Sequence, residues 1–93
     1  MEKIRTWFIT GASKGFGLNL VKQLLQAGQN VAATSRDLKA LIDAVGVTSP
    51  NFLPLQVELS NEDSVGCAIH QTNAAFKSID VVINNAGYGI GGS

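Results

Sequence analysis

The stretch Thr10-Gly11-Ala12-Ser13-Lys14-Gly15-Phe16-Gly17 decides the fold of this chain. It follows the apolar run Trp7-Phe8-Ile9 and leads into a segment with helical periodicity, so its glycines fall where a strand turns into a helix. Glycine suits such a turn because it lacks a β-carbon and adopts backbone conformations that other residues resist. The free amides and the positive dipole end of the following helix can then bind a diphosphate. The sequence therefore predicts a phosphate-binding turn whose members are Gly11, Ser13, Lys14, Gly15, Phe16 and Gly17.

Glycine clusters are also common in turns that bind nothing, so the place of this cluster in the chain matters. It lies between a strand pattern and a helix pattern, as the phosphate-binding mechanism requires. A P-loop would end in Gly-Lys followed by Ser or Thr, whereas Lys14 is followed by Gly15. The pattern favours a nucleotide-binding turn and excludes a P-loop.

Strand patterns alternate with helix patterns along the whole chain. Strands are predicted at residues 5–10, 30–34, 52–57 and 79–83, with helices at 15–27, 38–45 and after residue 60. Such alternation is typical of parallel βαβ units, whose right-handed crossovers leave few topologies. We predict an α/β fold, namely a partial Rossmann-type parallel sheet in the order 3-2-1-4 with helices on both faces. Residues 1–93 would form a single, incomplete dinucleotide-binding domain.

Apolar spacing predicts the buried face of each helix, and small polar residues or glycines predict its ends. The third helix should begin at Ser60 as N-cap, with Glu62 and Asp63 in its first turn, while Gly28 and Gly46 should end the first two. The predicted buried side chains are Leu18, Val21, Leu24 and Leu25 in the first helix, Leu38, Leu41, Ile42 and Val45 in the second, and Val65, Ala68, Ile69, Thr72 and Phe76 in the third.

The composition is that of a globular protein without a charge bias. Of 93 residues, 45% are hydrophobic and 15% charged, and 7 basic residues balance 7 acidic ones. This balance gives no support for a nucleic-acid or membrane partner, and the apolar run near the N-terminus is too short for a signal peptide or a membrane span. We expect a cytoplasmic protein. Cys67 is the only cysteine and His70 the only histidine, so no disulfide within the chain and no metal site are predicted.

A second motif, Asn84-Asn85-Ala86-Gly87, follows the fourth predicted strand. Together with residues 10–17, which fit the pattern TGxxxGxG, this NNAG motif makes the chain resemble the short-chain dehydrogenase/reductases over essentially its whole length. The resemblance implies a Rossmann-type fold, a nicotinamide cofactor and hydride transfer between nicotinamide and a carbonyl or alcohol carbon. It also implies that Asn84, Ala86 and Gly87 line the cofactor's ribose, while an asparagine side chain joins the ends of neighbouring strands.

The charges after the second strand indicate which nicotinamide cofactor is used. An NAD-binding protein usually has an acid about twenty residues after the glycine turn, where it binds the ribose hydroxyls. This chain has Ser35 and Arg36 there, and Lys14 lies within the glycine turn. A guanidinium can bind a phosphate through two donors, and in the similar family basic residues at these two places accompany NADP. We predict NADP rather than NAD, the alternative being that Arg36 pairs with Asp37 or caps a helix.

The end of the third strand offers two further candidates. Similar enzymes commonly carry an aspartate here that accepts a hydrogen bond from the adenine amino group, and Glu58 stands in its place. Leu59 would contribute its backbone N–H. An equally open alternative is that Glu58 is a solvated acid near the start of a helix.

The catalytic serine, tyrosine and lysine of the similar family follow the NNAG motif, the last two spaced as Tyr-x-x-x-Lys. Tyr88 is the only tyrosine of this chain, and Gly92 stands four residues after it. A tyrosine needs a nearby positive charge to transfer a proton near neutral pH. We therefore predict no catalytic residue within the chain itself.

Two classes of function follow from these patterns. The first is the cofactor-binding N-terminal part of an NADP-dependent short-chain oxidoreductase that acts on a small carbonyl or alcohol substrate. The alternative is a non-catalytic nucleotide-binding or interaction module, or a remnant that binds nothing. Because the fourth strand would be an open sheet edge, we expect the chain to self-associate or to be only marginally folded.

Overall fold

The computed structural model describes residues 3–13, 15–58 and 60–85. Strands and helices alternate along them in the predicted way. In chain order they are β1 (Thr6–Ile9), α1 (Gly15–Gln26), β2 (Asn30–Ser35), α2 (Leu38–Val45), β3 (Phe52–Gln56), α3 (Glu62–Phe76) and β4 (Val81–Ile83).

The strands form one parallel sheet in the order β3-β2-β1-β4, which confirms the predicted topology. In the centre of the sheet, Phe8 lies opposite Ala32 on one side and Val82 on the other. The carboxyl ends of parallel strands share one edge of a sheet, so the segments that follow the four strands meet there. This carboxyl edge carries those of the predicted cofactor-binding residues that the structure describes.

Helices cover both faces of the sheet, as predicted. Successive residues of a strand point to opposite faces, so Ile9 packs with Val21 of α1 and Leu41 of α2, whereas Phe8 packs with Ala68 of α3. The first cluster contains Ile9, Ala12, Val21, Val31, Ala33, Leu41 and Val45, and the second contains Phe8, Ala32, Leu55, Val57 and Ala68.

Two of the predicted buried side chains are exposed instead. Ile42 of α2 is 44% exposed and Ile69 of α3 is 40% exposed. In each helix the neighbour one position earlier, Leu41 or Ala68, faces the sheet. The following residue is rotated by about 100° around the helix, and in these two helices that rotation carries it off the sheet.

The beginning of α3 also differs from the prediction. Its N-cap is Asn61 rather than Ser60, because the Asn61 side chain accepts hydrogen bonds from the backbone N–H groups of Asp63 (2.9 Å) and Ser64 (3.2 Å). Serine and asparagine cap helices about equally well, so the residue types alone could not separate these two neighbours. The predicted ends of the first two helices are confirmed, since α1 stops before Gly28 and Gly46 is the C-cap of α2.

The buried side chain of Gln29 binds the residues before β1 to the amino end of the sheet. Its Oε1 accepts hydrogen bonds from the Arg5 backbone N–H (2.8 Å) and from Nε1 of Trp7 (3.2 Å). Its Nε2 donates to the carbonyl oxygen of Lys3 at 3.2 Å. One side chain therefore uses both ends of its amide to fix the start of β1.

At one side of the described sheet, β4 pairs with β1. The Asp80 side chain accepts a hydrogen bond from the Thr6 N–H (2.8 Å), and the Asp80 N–H donates to the Thr6 carbonyl (2.9 Å). Val82 of the same strand is 63% exposed although it lies opposite the buried Phe8. In the described residues, the sheet face that α3 covers is thus left partly open at β4.

Candidate functional site

The predicted binding residues that the structure describes all follow the carboxyl ends of strands. The residues that follow β1 are Gly11, Ser13, Gly15, Phe16 and Gly17. The end of β2 carries Ser35 and Arg36, the end of β3 carries Glu58, and the end of β4 carries Asn84. Four further predicted members, Lys14, Leu59, Ala86 and Gly87, lie outside the described residues. The topology therefore brings the described candidates to one edge.

The turn between β1 and α1 uses left-handed backbone at two glycines. Gly11 has a φ of 62° and Gly15 a φ of 67°, values that side chains with a β-carbon rarely adopt. A Cβ at Gly15 would meet no protein atom within 4 Å, so the space beside this residue is open. Phe16, the next residue, is 66% exposed. The first residues of α1 are thus accessible from solvent at the carboxyl edge.

Gly17 is required for a different reason, which is close packing. A Cβ there would lie 2.5 Å from Nδ2 of Asn85, 2.9 Å from the carbonyl oxygen of Gly11 and 3.2 Å from Cα of Ala12. Real Cβ atoms essentially never approach other heavy atoms to less than 3.0 Å. The absent side chain lets α1 lie directly against the turn and against the segment that follows β4.

A hydrogen-bond network joins the glycine turn to the NNAG segment. The Thr10 hydroxyl donates to Oδ1 of Asn84 (3.1 Å) and accepts from the Asn85 N–H (3.0 Å). Nδ2 of Asn85 donates to the Gly11 carbonyl (3.1 Å), and the Thr10 N–H donates to the Ile83 carbonyl (3.1 Å). The structure thus contains the expected asparagine connection between neighbouring strand ends.

Thr10 and Asn85 were not among the predicted site residues, although they organise the site. Both belong to motifs that the sequence displays, and the contacts between them join positions 74 or 75 residues apart. The residue types were a usable signal, because a hydroxyl and an amide can each bind neighbouring backbone groups. Which of the two asparagines binds which group became apparent only in three dimensions.

At the end of β2, the buried hydroxyl of Ser35 accepts a hydrogen bond from the Asp37 N–H at 3.1 Å. The Asp37 carboxylate caps α2, where its Oδ1 accepts from the Ala40 N–H at 3.0 Å. The cap of this helix is therefore Asp37 and not Arg36, which corrects one of the two alternatives considered for the arginine. Arg36 is exposed and lines an open depression of about 650 Å³ next to α2.

At the end of β3, the backbone of Glu58 is bound on both sides while its side chain is exposed. Its N–H donates to the Ser64 hydroxyl (3.1 Å), and its carbonyl accepts from the Asn61 N–H (2.9 Å). The preceding Val57 N–H donates to the Ser35 carbonyl (3.0 Å), so the ends of β2 and β3 adjoin. Glu58 therefore lies on the same edge as Arg36.

These groups are suited to holding a phosphorylated ligand. The edge combines the exposed start of a helix, its backbone amides and a guanidinium, all of which favour a phosphate through charge or hydrogen bonds. The carboxylate of Glu58 would repel a phosphate and can instead accept hydrogen bonds from another part of a ligand. Within the part of the chain that the structure describes, no group of three or more His, Cys, Asp or Glu residues could hold a metal ion. None of the helices in those residues is long and apolar enough to cross a membrane.

Comparison with known proteins yields one consistent family. The model of the family described as short chain dehydrogenase matches residues 5–93. A probable NADP-dependent dehydrogenase of Haemophilus influenzae is 34% identical over 89 residues, which are 96% of this chain and 35% of that protein.

Solved structures agree with this match. A short-chain dehydrogenase from Streptomyces avermitilis superposes with a TM-score of 0.83 at 28% identity, covering 91% of this chain and 31% of that one. A 3-ketoacyl-(acyl-carrier-protein) reductase from Brucella melitensis, crystallised with NADH, gives a TM-score of 0.77 at 26% identity, covering 84% of this chain and 32% of that one. The chain spans about a third of the length of each protein compared.

Proposed function

The chain belongs to the short chain dehydrogenase family, and we propose that it is the cofactor-binding part of an NADP-dependent oxidoreductase. Residues 1–93 form its single, incomplete dinucleotide-binding domain in this proposal. The complete enzyme would transfer hydride between the nicotinamide ring and a carbonyl or alcohol carbon. No residue of the chain is assigned a catalytic role, and its own residues bind and orient the cofactor.

The observation that supports this function most is the glycine turn at the carboxyl edge. Its left-handed glycines, Gly11 and Gly15, bring α1 to the edge with open space beside Gly15. A diphosphate fits there because the first amides and the dipole of the helix favour negative charge. Ser13 and Lys14 of the same turn would add a hydroxyl and a cation. When bound, the cofactor supplies the hydride acceptor or donor at its nicotinamide ring.

The remaining members of the site would contact the ribose and the adenine of the dinucleotide. Asn84, Ala86 and Gly87 would line the cofactor's ribose, and the contacts of Thr10 with Asn84 and Asn85 support this role for Asn84. Glu58 and the Leu59 N–H would bind the adenine at the end of β3.

The preference for NADP rests on the end of β2. In NAD-binding proteins an acid usually stands there, but this chain has Ser35, whose hydroxyl binds the Asp37 N–H. The nearest acid, Asp37, uses Oδ1 to cap α2, while Arg36 is exposed. An exposed guanidinium whose neighbouring acid is bound to a backbone N–H suits the 2′-phosphate of NADP. One relative is described as NADP-dependent and one structural neighbour is a complex with NADH, so the support for NADP comes from the arginine.

A calorimetric titration of the chain with NADPH and NADH tests this preference. We expect tighter binding of NADPH, and Arg36→Ala should weaken NADPH binding by about 1.5–3 kcal/mol, the contribution of a hydrogen bond to a charged group. The NADH affinity should stay unchanged. Lys22→Ala, which removes an exposed cation from α1, is the matched control and should leave both affinities as they were. Equal affinities of the unaltered chain for the two cofactors would remove the case for NADP.

A second candidate is a non-catalytic module that binds a nucleotide or a protein partner. The exposed Val82 favours it, because an exposed apolar side chain on β4, at one side of the described sheet, is a site of association. Oxidation of NADPH by the complete gene product in the presence of small carbonyl compounds would decide for the oxidoreductase. The cytoplasmic location expected from the sequence stays a prediction.

A further inference from the structure

The open depression beside the end of β2 contains more positive charge than Arg36 alone provides. Its volume is about 650 Å³ and its lining residues are Arg36, Asp37, Leu38, Lys39, Ile42 and Gln56. Arg36 and Lys39 are both exposed. Two cations and one acid therefore share this surface.

Asp37, the acid that lines this depression, has a hydrogen-bond partner of its own. Oδ1 of Asp37 accepts the Ala40 N–H at 3.0 Å, as the N-cap of α2. The positive end of the helix dipole stabilises a carboxylate in this position, so the helix itself neutralises part of the negative charge. The two cations keep a positive excess that a dianionic group could bind.

Apolar side chains in the depression provide a surface along which the stem of Lys39 can pack. Leu38 and Ile42 line the same depression, and Ile42 is 44% exposed. A lysine extends its methylene stem along an apolar surface while its ammonium group stays in water. Lys39 can thus direct its ammonium group to a ligand that Arg36 also contacts.

We propose that Lys39 is a further cation for the 2′-phosphate of the bound dinucleotide and that it contributes, with Arg36, to the choice of the phosphorylated cofactor. This inference rests on the proposed function. It assigns Lys39 a role in specificity only, because the lysine interacts with a group that NADH lacks. The contact is accessible to water, so salt screens it and its contribution is smaller than that of the arginine.

The test compares Lys39→Ala with Lys22→Ala, an exposed lysine of α1 outside the depression. The chain is titrated with NADPH, NADH, 2′,5′-ADP and 5′-AMP at low and at physiological salt. We expect Lys39→Ala to weaken NADPH and 2′,5′-ADP about three- to tenfold at low salt, as one partly screened charged contact would. NADH and 5′-AMP should stay within about twofold, Lys39→Arg should restore binding, and Lys22→Ala should change none of the four.

The outcomes separate the inference from the function on which it rests. If the unaltered chain binds NADPH no better than NADH, the proposed NADP dependence fails and the role of Lys39 fails with it. If the chain prefers NADPH but Lys39→Ala behaves like Lys22→Ala, only the role of Lys39 is overturned. A loss of affinity for all four ligands would also overturn it, because the lysine would then support the fold. Melting curves followed by circular dichroism check folding, and Lys39→Gln replaces the alanine variant if that variant melts early.

Discussion

Two kinds of glycine form the turn after β1. Positions 11 and 15 require glycine because their backbone is left-handed, whereas position 17 requires glycine because the surrounding atoms leave no room for a Cβ. The distinction matters for function, because the first kind shapes the turn that would receive the diphosphate and the second fixes α1 against the segment after β4. A β-carbon at position 17 would approach the Gly11 carbonyl to 2.9 Å, and backbone cannot swing aside as a side chain can.

We therefore expect Gly17→Ala to lower the free energy of unfolding by about 1–3 kcal/mol, the usual cost of overpacking. Urea denaturation measures the change. Gly66→Ala is the matched control, since Gly66 lies within α3 and a Cβ there would meet no atom within 4 Å. That substitution should raise the free energy of unfolding by about 0.5–1 kcal/mol, because alanine loses less backbone entropy in a helix. A Gly17→Ala variant as stable as the original chain would contradict the proposed packing.

For single residues, the sequence predicted which residue types form the site better than it predicted the contacts they make. The glycines, Ser35 and Arg36 could be read from the motif and from charge. The resemblance implied that an asparagine side chain joins strand ends, but it did not indicate that Asn85 and Thr10 make these contacts, since their hydrogen bonds join segments that the fold alone brings together. The capping role of Asp37 was not predicted, although an aspartate directly before a predicted helix is a preferred N-cap.

The hydrophobic patterns predicted the strands and helices themselves, but they did not predict where every one of them begins or ends. Every predicted strand and helix is present, because apolar spacing repeats over several residues and tolerates an error at any one of them. A helix end depends on one side chain, so the neighbours Ser60 and Asn61 could be confused. The exposure of Ile42 and Ile69 has a similar cause, since burial depends on where the helix lies against the sheet.

The cap of α3 provides a direct test at this scale. Asn61→Ala should lower the free energy of unfolding by about 1 kcal/mol, because it removes the acceptor of the Asp63 and Ser64 N–H groups. Ser60→Ala should leave stability within about 0.5 kcal/mol, as for an ordinary surface substitution. Thermal melts followed at the helical band of circular dichroism compare the two variants. The reverse order of effects would restore Ser60 as the cap.

For the whole molecule, the exposed strand β4 is the feature with the largest expected effect. Val82 is 63% exposed on the sheet face that α3 covers only in part, and exposed strands with apolar side chains associate. We expect the 93-residue chain to self-associate as its concentration rises. Val82→Lys should shift the sedimentation equilibrium toward monomer, because a charge on this strand opposes pairing.

The matched control is Val47→Lys, which places the same charge on a side chain that is 51% exposed outside the sheet. It should leave the association constant unchanged. A monomer that persists at all concentrations and melts sharply would refute the expectation. The parallel order of the sheet was predictable from alternation and handedness, whereas the extent to which α3 leaves β4 uncovered required the packed structure.

The contact between Trp7 and Gln29 gives the protein an internal optical reporter. Trp7 is the only tryptophan of the chain, and its indole nitrogen is bound to Gln29 at the amino end of the sheet, opposite the carboxyl edge. Its emission wavelength therefore follows the hydration of that remote end. A red shift of this emission before the loss of helical signal during denaturation would show that the amino end of the sheet becomes hydrated before the helices unfold.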